Sequence, residues 1–204
     1  MSEVIADITM SLDGYVTGPL AESEHGLGGV DELHAWVMEP DPVDTEILEQ
    51  TTAATGAVVM GRRLFDIVDG PDGWTKDMGY GAQQAAAPPF FVVTHTAPQD
   101  VRLEREEGMQ FTFVDDLSAA VDQARTAATD GHVVIMGGGD VIGQAIEKGL
   151  VDELHLHLAP VLLGGGTPLF RAGTRQRYRQ RDVRPSRHAL HLTYERLISA
   201  DQSA

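Results

Sequence analysis

The sequence of 204 residues has no cysteine, few basic residues and no long apolar segment. Without cysteine the chain can form neither a disulfide framework nor a thiolate metal site, and it cannot use a cysteine nucleophile. Only 15 Lys and Arg residues stand against 31 Asp and Glu residues, a net charge of −16. This balance argues against nucleic-acid binding, which needs clustered basic residues. No apolar run approaches the roughly 20 residues that cross a bilayer. We expect no secretion signal, because the first residues show no basic stretch followed by an apolar run.

What remains is the composition of a globular protein, with 42% hydrophobic and 23% charged residues. Chains of this length usually form one domain, since domains run to roughly 100–200 residues. We therefore expect a single cytoplasmic domain over residues 1–198, followed by a frayed tail at 199–204. We expect its ligand to be a small molecule, with neither nucleic acid nor membrane as a partner.

The order of the predicted elements indicates an α/β fold. Strands alternate with helices up to about residue 160, after which strands follow one another. This order predicts a mostly parallel sheet, helices on both of its faces and an antiparallel hairpin at the C-terminal end. The predicted strands cover residues 4–10, 57–60, 90–94, 110–114, 132–136, 151–161, 175–184 and 188–197. The predicted helices cover residues 31–38, 44–54, 117–128 and 140–148, and another begins after residue 61. Asp44 is predicted to cap the second helix, and residues 95–109 to form a loop.

A glycine-rich turn, Gly137-Gly138-Gly139-Asp140, joins the strand at 132–136 to an amphipathic helix. Glycines at such a turn let backbone N–H groups approach a phosphate, and the helix N-terminus adds roughly half a positive charge. The alternative is a tight turn in which Asp140 caps the helix. The dinucleotide spacing G-x-G-x-x-G is not met, so this motif alone leaves both interpretations open.

A second motif, Gly61-Arg62-Arg63, follows an apolar strand and begins a helix. Arginines at a helix N-terminus oppose the helix dipole unless an anion lies nearby. They therefore indicate a phosphate, the alternative being two solvated arginines on an acidic surface. Thr94 and His95 end the following strand and offer a hydroxyl and an imidazole. Because ligands of open α/β sheets bind at the carboxyl ends of the strands, these groups are expected at one site.

Three further polar residues could carry chemistry. Asp13, in a turn after the first strand, either forms that turn or directs its carboxylate into the same cleft. His155 and His157 lie two residues apart on one strand, so they share a face of the sheet. A metal site there would need a further ligand such as His191 or Glu195, and no spacing demands one. We therefore predict a half-exposed sheet face and no metal.

Taken in order, the motifs resemble the dihydrofolate reductase superfamily, and within it the reductase domain of the bifunctional riboflavin-biosynthesis deaminase-reductase. The likeness spans residues 3–197 and is carried by Met10–Gly14, Val58–Arg62, Val134–Gly139 and the stretch from 149 to 166. The resemblance implies a single-domain dihydrofolate-reductase-like fold with eight to nine strands, with NADPH lying across the strand ends. It also implies a homodimer.

The resemblance further implies roles for individual residues. The cofactor phosphates and pyrophosphate would be held by Gly61, Arg62, Arg63, Thr94, His95, Gly137, Gly138, Gly139, Asp140 and Val141. Thr94 and His95 would flank the adenosine 2′-phosphate. The helix at 31–38 resembles the substrate-side helix of dihydrofolate reductases. The candidate proton donors are therefore Asp13, Glu32 and His34.

The sequence departs from the family pattern on the substrate side. Riboflavin-pathway reductases carry a Lys where Asp7 stands and a Glu where Met136 stands, and dihydrofolate reductases usually carry a Thr where Leu64 stands. We therefore expect an NADPH-dependent reductase of a small pteridine- or pyrimidine-like heterocycle that is a poor riboflavin-pathway reductase. The alternatives are an NADP-binding protein without turnover and a metal-dependent enzyme that uses the His155/His157 face.

Overall fold

The computed structural model describes residues 2–19, 29–75, 77–82, 84 and 87–197, so the predicted tail at 199–204 lies outside the described residues. Eight strands form one sheet: β1 (Val4–Ser11), β2 (Thr55–Gly61), β3 (Phe90–Val93), β4 (Phe111–Val114), β5 (His132–Met136), β6 (Glu153–Ala159), β7 (Tyr178–Pro185) and β8 (Leu190–Arg196). Their order across the sheet is β4-β3-β2-β5-β1-β6-β8-β7. The first six strands pair in parallel, whereas β8 is antiparallel to both β6 and β7.

The helices connect these strands. A 3₁₀ turn at Asp31–His34 continues into α1 (Ala35–Met38), and the others are α2 (Pro42–Ala54), α3 (Arg62–Val68), α4 (Arg102–Glu107), α5 (Leu117–Ala127) and α6 (Gly139–Glu147). The predicted mostly parallel sheet, with its C-terminal antiparallel hairpin and helices on both faces, is confirmed. Within the described parts of the chain, no helix is both long and apolar enough to span a membrane.

The two faces of β1 differ in character. Val4, Ala6 and Ile8 lie in the main core with α5 and α6, whereas Asp7 and Thr9 alternate onto the opposite face. On that opposite face, α3 and α4 pack on β2 and β3 around a smaller core. There, α1 is hydrogen-bonded to β1 and α2 to β8, and Trp36 of α1 packs against His157 of β6. The polar residues of β1 are therefore enclosed by helices.

Two local predictions were wrong. Asp44 does not cap α2: Asp41 does, accepting hydrogen bonds from the backbone N–H groups of Val43 and Asp44, because Pro42 occupies the first helical position. The Asp44 side chain accepts from the backbone N–H of Asp41 and is fully buried. Part of the predicted loop at 95–109 forms α4, and Leu103 is the one side chain of this helix that is fully buried.

Candidate functional site

The carboxyl ends of the parallel strands open into a cleft of about 1720 Å³. Its walls come from the end of β2 and the start of α3, the turn after β3, the start of α6, and parts of β1, α1 and α2. All ten residues predicted to bind a cofactor line this one cleft: Gly61, Arg62, Arg63, Thr94, His95, Gly137, Gly138, Gly139, Asp140 and Val141. Residues up to 80 positions apart in sequence meet here because parallel strands end at the same edge of the sheet.

The glycine-rich turn leaves the N-terminus of α6 open to the cleft. Gly137 and Gly138 have φ angles of 59° and 80°, a region that favours glycine. No side chain caps α6. Asp140 pairs instead with the Arg171 guanidinium, so the alternative interpretation of Asp140 as the cap was wrong. A Cβ added at Gly138 would meet no atom within 4 Å, which leaves room for a ligand against the backbone N–H groups.

The end of β2 supplies positive charge beside this turn. A Cβ at Gly61 would lie 2.7 Å from Cγ2 of Val141, so glycine lets α6 begin close to β2. The Arg62 guanidinium donates to Asp66 at 2.7 Å and to the Thr96 carbonyl at 2.6 Å. Arg63 is exposed, and none of the described residues pairs with its guanidinium. Within the described parts of the chain, the cleft rim therefore carries a cation without a carboxylate partner.

The turn after β3 lies against the same rim. The Thr94 hydroxyl donates to the Thr96 carbonyl at 3.1 Å and accepts from the Thr96 N–H at 3.3 Å. That carbonyl also binds Arg62, so the arginine is tied to the turn. His95 is exposed at the turn. The hydroxyl of Thr94 and the imidazole of His95 therefore line the same rim as Arg62 and Arg63.

The other half of the cleft is chemically different. Its lining includes Asp7, Thr9, Trp36, Tyr80 and Met136. The Trp36 indole N–H donates to the Thr9 hydroxyl at 2.8 Å, which fixes the ring. Burial, and secondarily the negative charge of Asp7, raises the pKa of Tyr80. This half offers a carboxylate, a neutral phenol and an aromatic ring, a set suited to a small polar ring rather than to a phosphate.

The three predicted proton donors do not come together. Asp13 is absent from the cleft lining and accepts hydrogen bonds from the Ser11 hydroxyl and the backbone N–H groups of Leu163 and Gly164. These bonds, and that of Ser11 most of all, lower the pKa of Asp13 to about 2. Asp13 is therefore ionised, joins its own turn to the loop at Leu163 and Gly164, and is a poor proton donor. Glu32 is exposed and also absent from the lining.

His34 is the one predicted donor that lines the cleft, and burial lowers its pKa. Sequence reasoning did not predict that Asp7 lines the cleft and treated it only as a lost lysine. A usable signal was present, because an acid in the middle of an apolar strand is costly unless it is paired.

The prediction of a half-exposed histidine face holds for His155, whose side chain is 20% exposed, and was wrong for His157, which is 3% exposed. Trp36 packs against His157 with ring centroids 4.1 Å apart. Its Nδ1 lies 2.7 Å from Nδ1 of His191, and its Nε2 lies 3.2 Å from Asp7. His155 pairs with Glu153 at 3.1 Å. In the part of the chain that the structure describes, no three acidic or histidine side chains are grouped to hold a metal ion.

Comparison with known proteins agrees with this architecture. The family model of the RibD C-terminal domain matches residues 2–192. The chain is 27% identical over 172 residues to the uncharacterized protein YyaP of Bacillus subtilis (strain 168), which covers 82% of this chain and 79% of YyaP.

Two solved structures share the fold. A candidate riboflavin biosynthesis protein from Shewanella sp. PV-4 has a TM-score of 0.69 and 24% identity, covering 97% of this chain and 100% of that one. Dihydrofolate reductase from Enterococcus faecalis, complexed with NADP(H), has a TM-score of 0.56 and 16% identity. The match covers 95% of this chain and 96% of that one. Family and neighbours together support a reductase-type function and confirm the resemblance inferred from the sequence. The chain belongs to the RibD C-terminal domain family.

Proposed function

We propose that the protein is an NADPH-dependent reductase of a small pteridine- or pyrimidine-like heterocycle. The observation that carries this proposal is the division of one cleft into two halves. One half offers open backbone N–H groups and arginines, and the other offers a carboxylate, a phenol and an indole. The first suits the phosphates of a dinucleotide, and the second suits a ring with polar edges.

The residues present fit the cofactor. Gly138 leaves space against the N-terminus of α6, where a pyrophosphate could accept backbone hydrogen bonds. Arg63 has no carboxylate partner among the described residues, so it is available to a phosphate. The ten residues lining this half would hold the cofactor. When bound, the reduced nicotinamide would supply a hydride to the substrate. The fold shared with a dihydrofolate reductase complexed with NADP(H) supports the same assignment.

The preference for NADPH rests on the rim formed by Arg62, Arg63, Thr94 and His95. NADPH differs from NADH by a phosphate on the adenosine ribose, and a guanidinium–phosphate hydrogen bond is worth roughly 1.5–3 kcal/mol. That energy corresponds to a preference of about tenfold to a hundredfold.

The substrate half favours a ring that presents N–H donors. Asp7 lines the cleft as a carboxylate, and Met136 beside the glycine turn offers only an apolar, polarizable surface. A phosphorylated substrate would meet the negative charge of Asp7 at this position. We therefore infer an unphosphorylated heterocycle whose amino or ring N–H groups face Asp7.

The proposal is tested by following NADPH oxidation with a panel of dihydropterins, dihydrofolate, unphosphorylated aminopyrimidines and the riboflavin-pathway intermediate. Turnover of an unphosphorylated heterocycle, with little turnover of the pathway intermediate, is the expected result. Tight NADPH binding without oxidation by any member would favour a nucleotide-binding protein instead. Absence of NADPH binding would refute the proposed function altogether.

A further inference from the structure

Three buried side chains behind the cleft and the half-buried Asp7 at its wall form a continuous chain of hydrogen bonds. Asp7 Oδ1 lies 3.2 Å from His157 Nε2, the two Nδ1 atoms of His157 and His191 lie 2.7 Å apart, and His191 Nε2 lies 2.8 Å from Asp44 Oδ1. The side chains of His157, His191 and Asp44 are 3%, 5% and 0% exposed, whereas that of Asp7 is 17% exposed. Only the Asp7 end of this chain lines the cleft.

The geometry sets the number of protons in the histidine pair. Both Nε2 atoms face carboxylate oxygens, so each carries a hydrogen when both carboxylates are ionised. The contact between the two Nδ1 atoms needs one further hydrogen, on either side. Three N–H hydrogens on two imidazoles are one more than two neutral rings hold. His157 and His191 together therefore carry one positive charge between two carboxylates.

The two ends of the hydrogen-bonded chain have different surroundings. The groups facing Asp7 are His157 and His155, whose Nδ1 lies at 3.9 Å, and His191 and Tyr80 interact with it through charge. Burial raises the pKa of Asp7, but the histidines outweigh it and hold that pKa below its ordinary value. The residues facing His191 are His157, Asp44, Ser186 at 3.1 Å and, through its charge, Arg184.

Burial and the charge of His157 lower the pKa of His191. At the other end of the pair, Nε2 of His157 faces Asp7, which lines the cleft. Trp36 contacts both rings, tilted against His157 with centroids 4.1 Å apart and edge-on to His191 with centroids 5.2 Å apart. Trp36 and Asp7 line the cleft and neither histidine does, so the hydrogen-bonded path from the pair to the cleft runs through Asp7.

The pair also reaches a second cavity, of about 230 Å³, whose lining includes residues of α2. His155, His157 and His191 line it together with charged groups of Glu153, Asp182 and Arg184, and neither Asp7 nor Trp36 does. The histidine pair thus stands between two cavities. One of these admits a substrate, and the other can admit water to polar partners.

We propose that His157 and His191 store the proton consumed by the reduction and deliver it to the substrate through Asp7. The proposal rests on the proposed reductase function. As a hydride from a reduced nicotinamide adds to the carbon of a substrate C=N bond, the π electrons move to nitrogen. The Nε2 proton of His157 moves to the Asp7 carboxylate, and the carboxylic acid so formed gives its proton to that nitrogen. Asp7 is then a carboxylate again, and the two imidazoles are left neutral with two N–H hydrogens. A proton from water in the second cavity then restores the charge of the pair.

The first test needs neither cofactor nor substrate. Nitrogen-15 NMR of the histidine side chains counts the N–H hydrogens of His157 and His191 in the wild-type protein near pH 7. Three hydrogens, one of them shared between the two Nδ1 atoms, are expected. Two neutral imidazoles with only two N–H hydrogens across roughly pH 6–8, where ordinary histidines titrate, would overturn the proposal.

The second test is kinetic and uses His191→Gln. His191 belongs to the histidine pair and does not line the cleft. We therefore expect kcat to fall about a hundredfold, which is the usual contribution of a positioned proton donor. KM and NADPH affinity should be unchanged. We also expect the alkaline limb of the kcat profile to move to lower pH. His132→Gln is the matched control, because His132 lines the second cavity but lies outside the hydrogen-bonded chain.

The outcomes separate this proposal from the proposed function. A charged pair by NMR, together with an unchanged kcat and pH profile in His191→Gln, would show a structural role and overturn the proton store. Failure of the wild-type protein to bind NADPH would refute the reductase function, whatever the proton count. If His191→Gln does not fold, Asp44→Asn is measured instead. This substitution removes the carboxylate that faces Nε2 of His191 and keeps the size of the side chain at position 44, and the same fall in kcat is expected.

Discussion

Replacing Gly138 with valine should remove cofactor binding and leave the protein folded. Gly138 immediately precedes α6, has a φ of 80° and lines the cleft. A Cβ at this position meets no atom within 4 Å, so the two added methyl groups would project into open space. That space is where the proposed function puts the cofactor pyrophosphate.

The magnitudes separate binding from folding. A side chain at positive φ strains the backbone by about 1–3 kcal/mol, which is smaller than the roughly 5–15 kcal/mol that stabilises a typical domain. Excluding a phosphate from two backbone N–H groups loses about 3 kcal/mol or more, a weakening of more than about a hundredfold. We therefore expect a folded variant with a modestly lower free energy of unfolding and no measurable NADPH binding.

Gly108→Val provides the matched control. Gly108 also has a positive φ, 70°, and open space around its Cβ, but it follows α4 and does not line the cleft. Circular dichroism and denaturant titration measure the folding of both variants, and calorimetry measures NADPH affinity. Wild-type affinity in folded Gly138→Val would refute the reasoning, as would an equal loss of affinity in Gly108→Val.

Four further predictions follow from the site and the fold. Arg63→Ala should weaken NADPH binding about tenfold or more and NADH binding little. Arg105 is an exposed arginine on α4, and Arg105→Ala should change the affinity for neither cofactor. Equal losses of NADPH and NADH affinity in Arg63→Ala would contradict the 2′-phosphate assignment. Asp13→Asn should lower the free energy of unfolding above about pH 4 and lose this effect as the pH falls towards 2. The hydrogen bonds that lower the pKa of Asp13 stabilise only its ionised form, so their contribution disappears when the carboxylate is protonated. A difference between variant and wild type that persists at pH 2 in denaturant titrations would refute this. The protein should be a homodimer, and light scattering that gives a mass near 22.0 kDa at micromolar concentration would reject this. It should fail to complement a strain lacking the riboflavin-pathway reductase, because Asp7 and Met136 replace a cation and an acceptor; robust growth would show that these departures have been weighted wrongly.

Much of the fold could be predicted because the buried strands are apolar and the turns between them are marked by glycine. The strand β5, residues 132–136, has the bounds that its apolar run predicts. Helix α4 was missed because only Leu103 of its six residues is fully buried, so no amphipathic stripe shows in the sequence. The misplaced cap had a local signal that went unused, since Asp41-Pro42 is a typical helix start.

The two halves of the cleft differ in how far the sequence predicts them. The cofactor half depends on short motifs at strand ends, and parallel strands bring such ends together whatever the intervening loops do. The substrate half depends on contacts between residues far apart in the chain. Asp7 meets a histidine 150 positions away, and Asp44 meets one 147 positions away. No local pattern indicates that α1 and α2 enclose the histidine face, so its burial could not be foreseen.

The measurement that tests the central claim most directly is an NMR titration of the nitrogen-15-labelled wild-type protein with NADPH. The account predicts saturable amide shifts that are largest at 137–141 and 61–63, with smaller ones at Thr94 and His95. Saturable shifts confined to another part of the surface, or no saturable shifts at millimolar NADPH, would contradict the assignment of this cleft as the cofactor site.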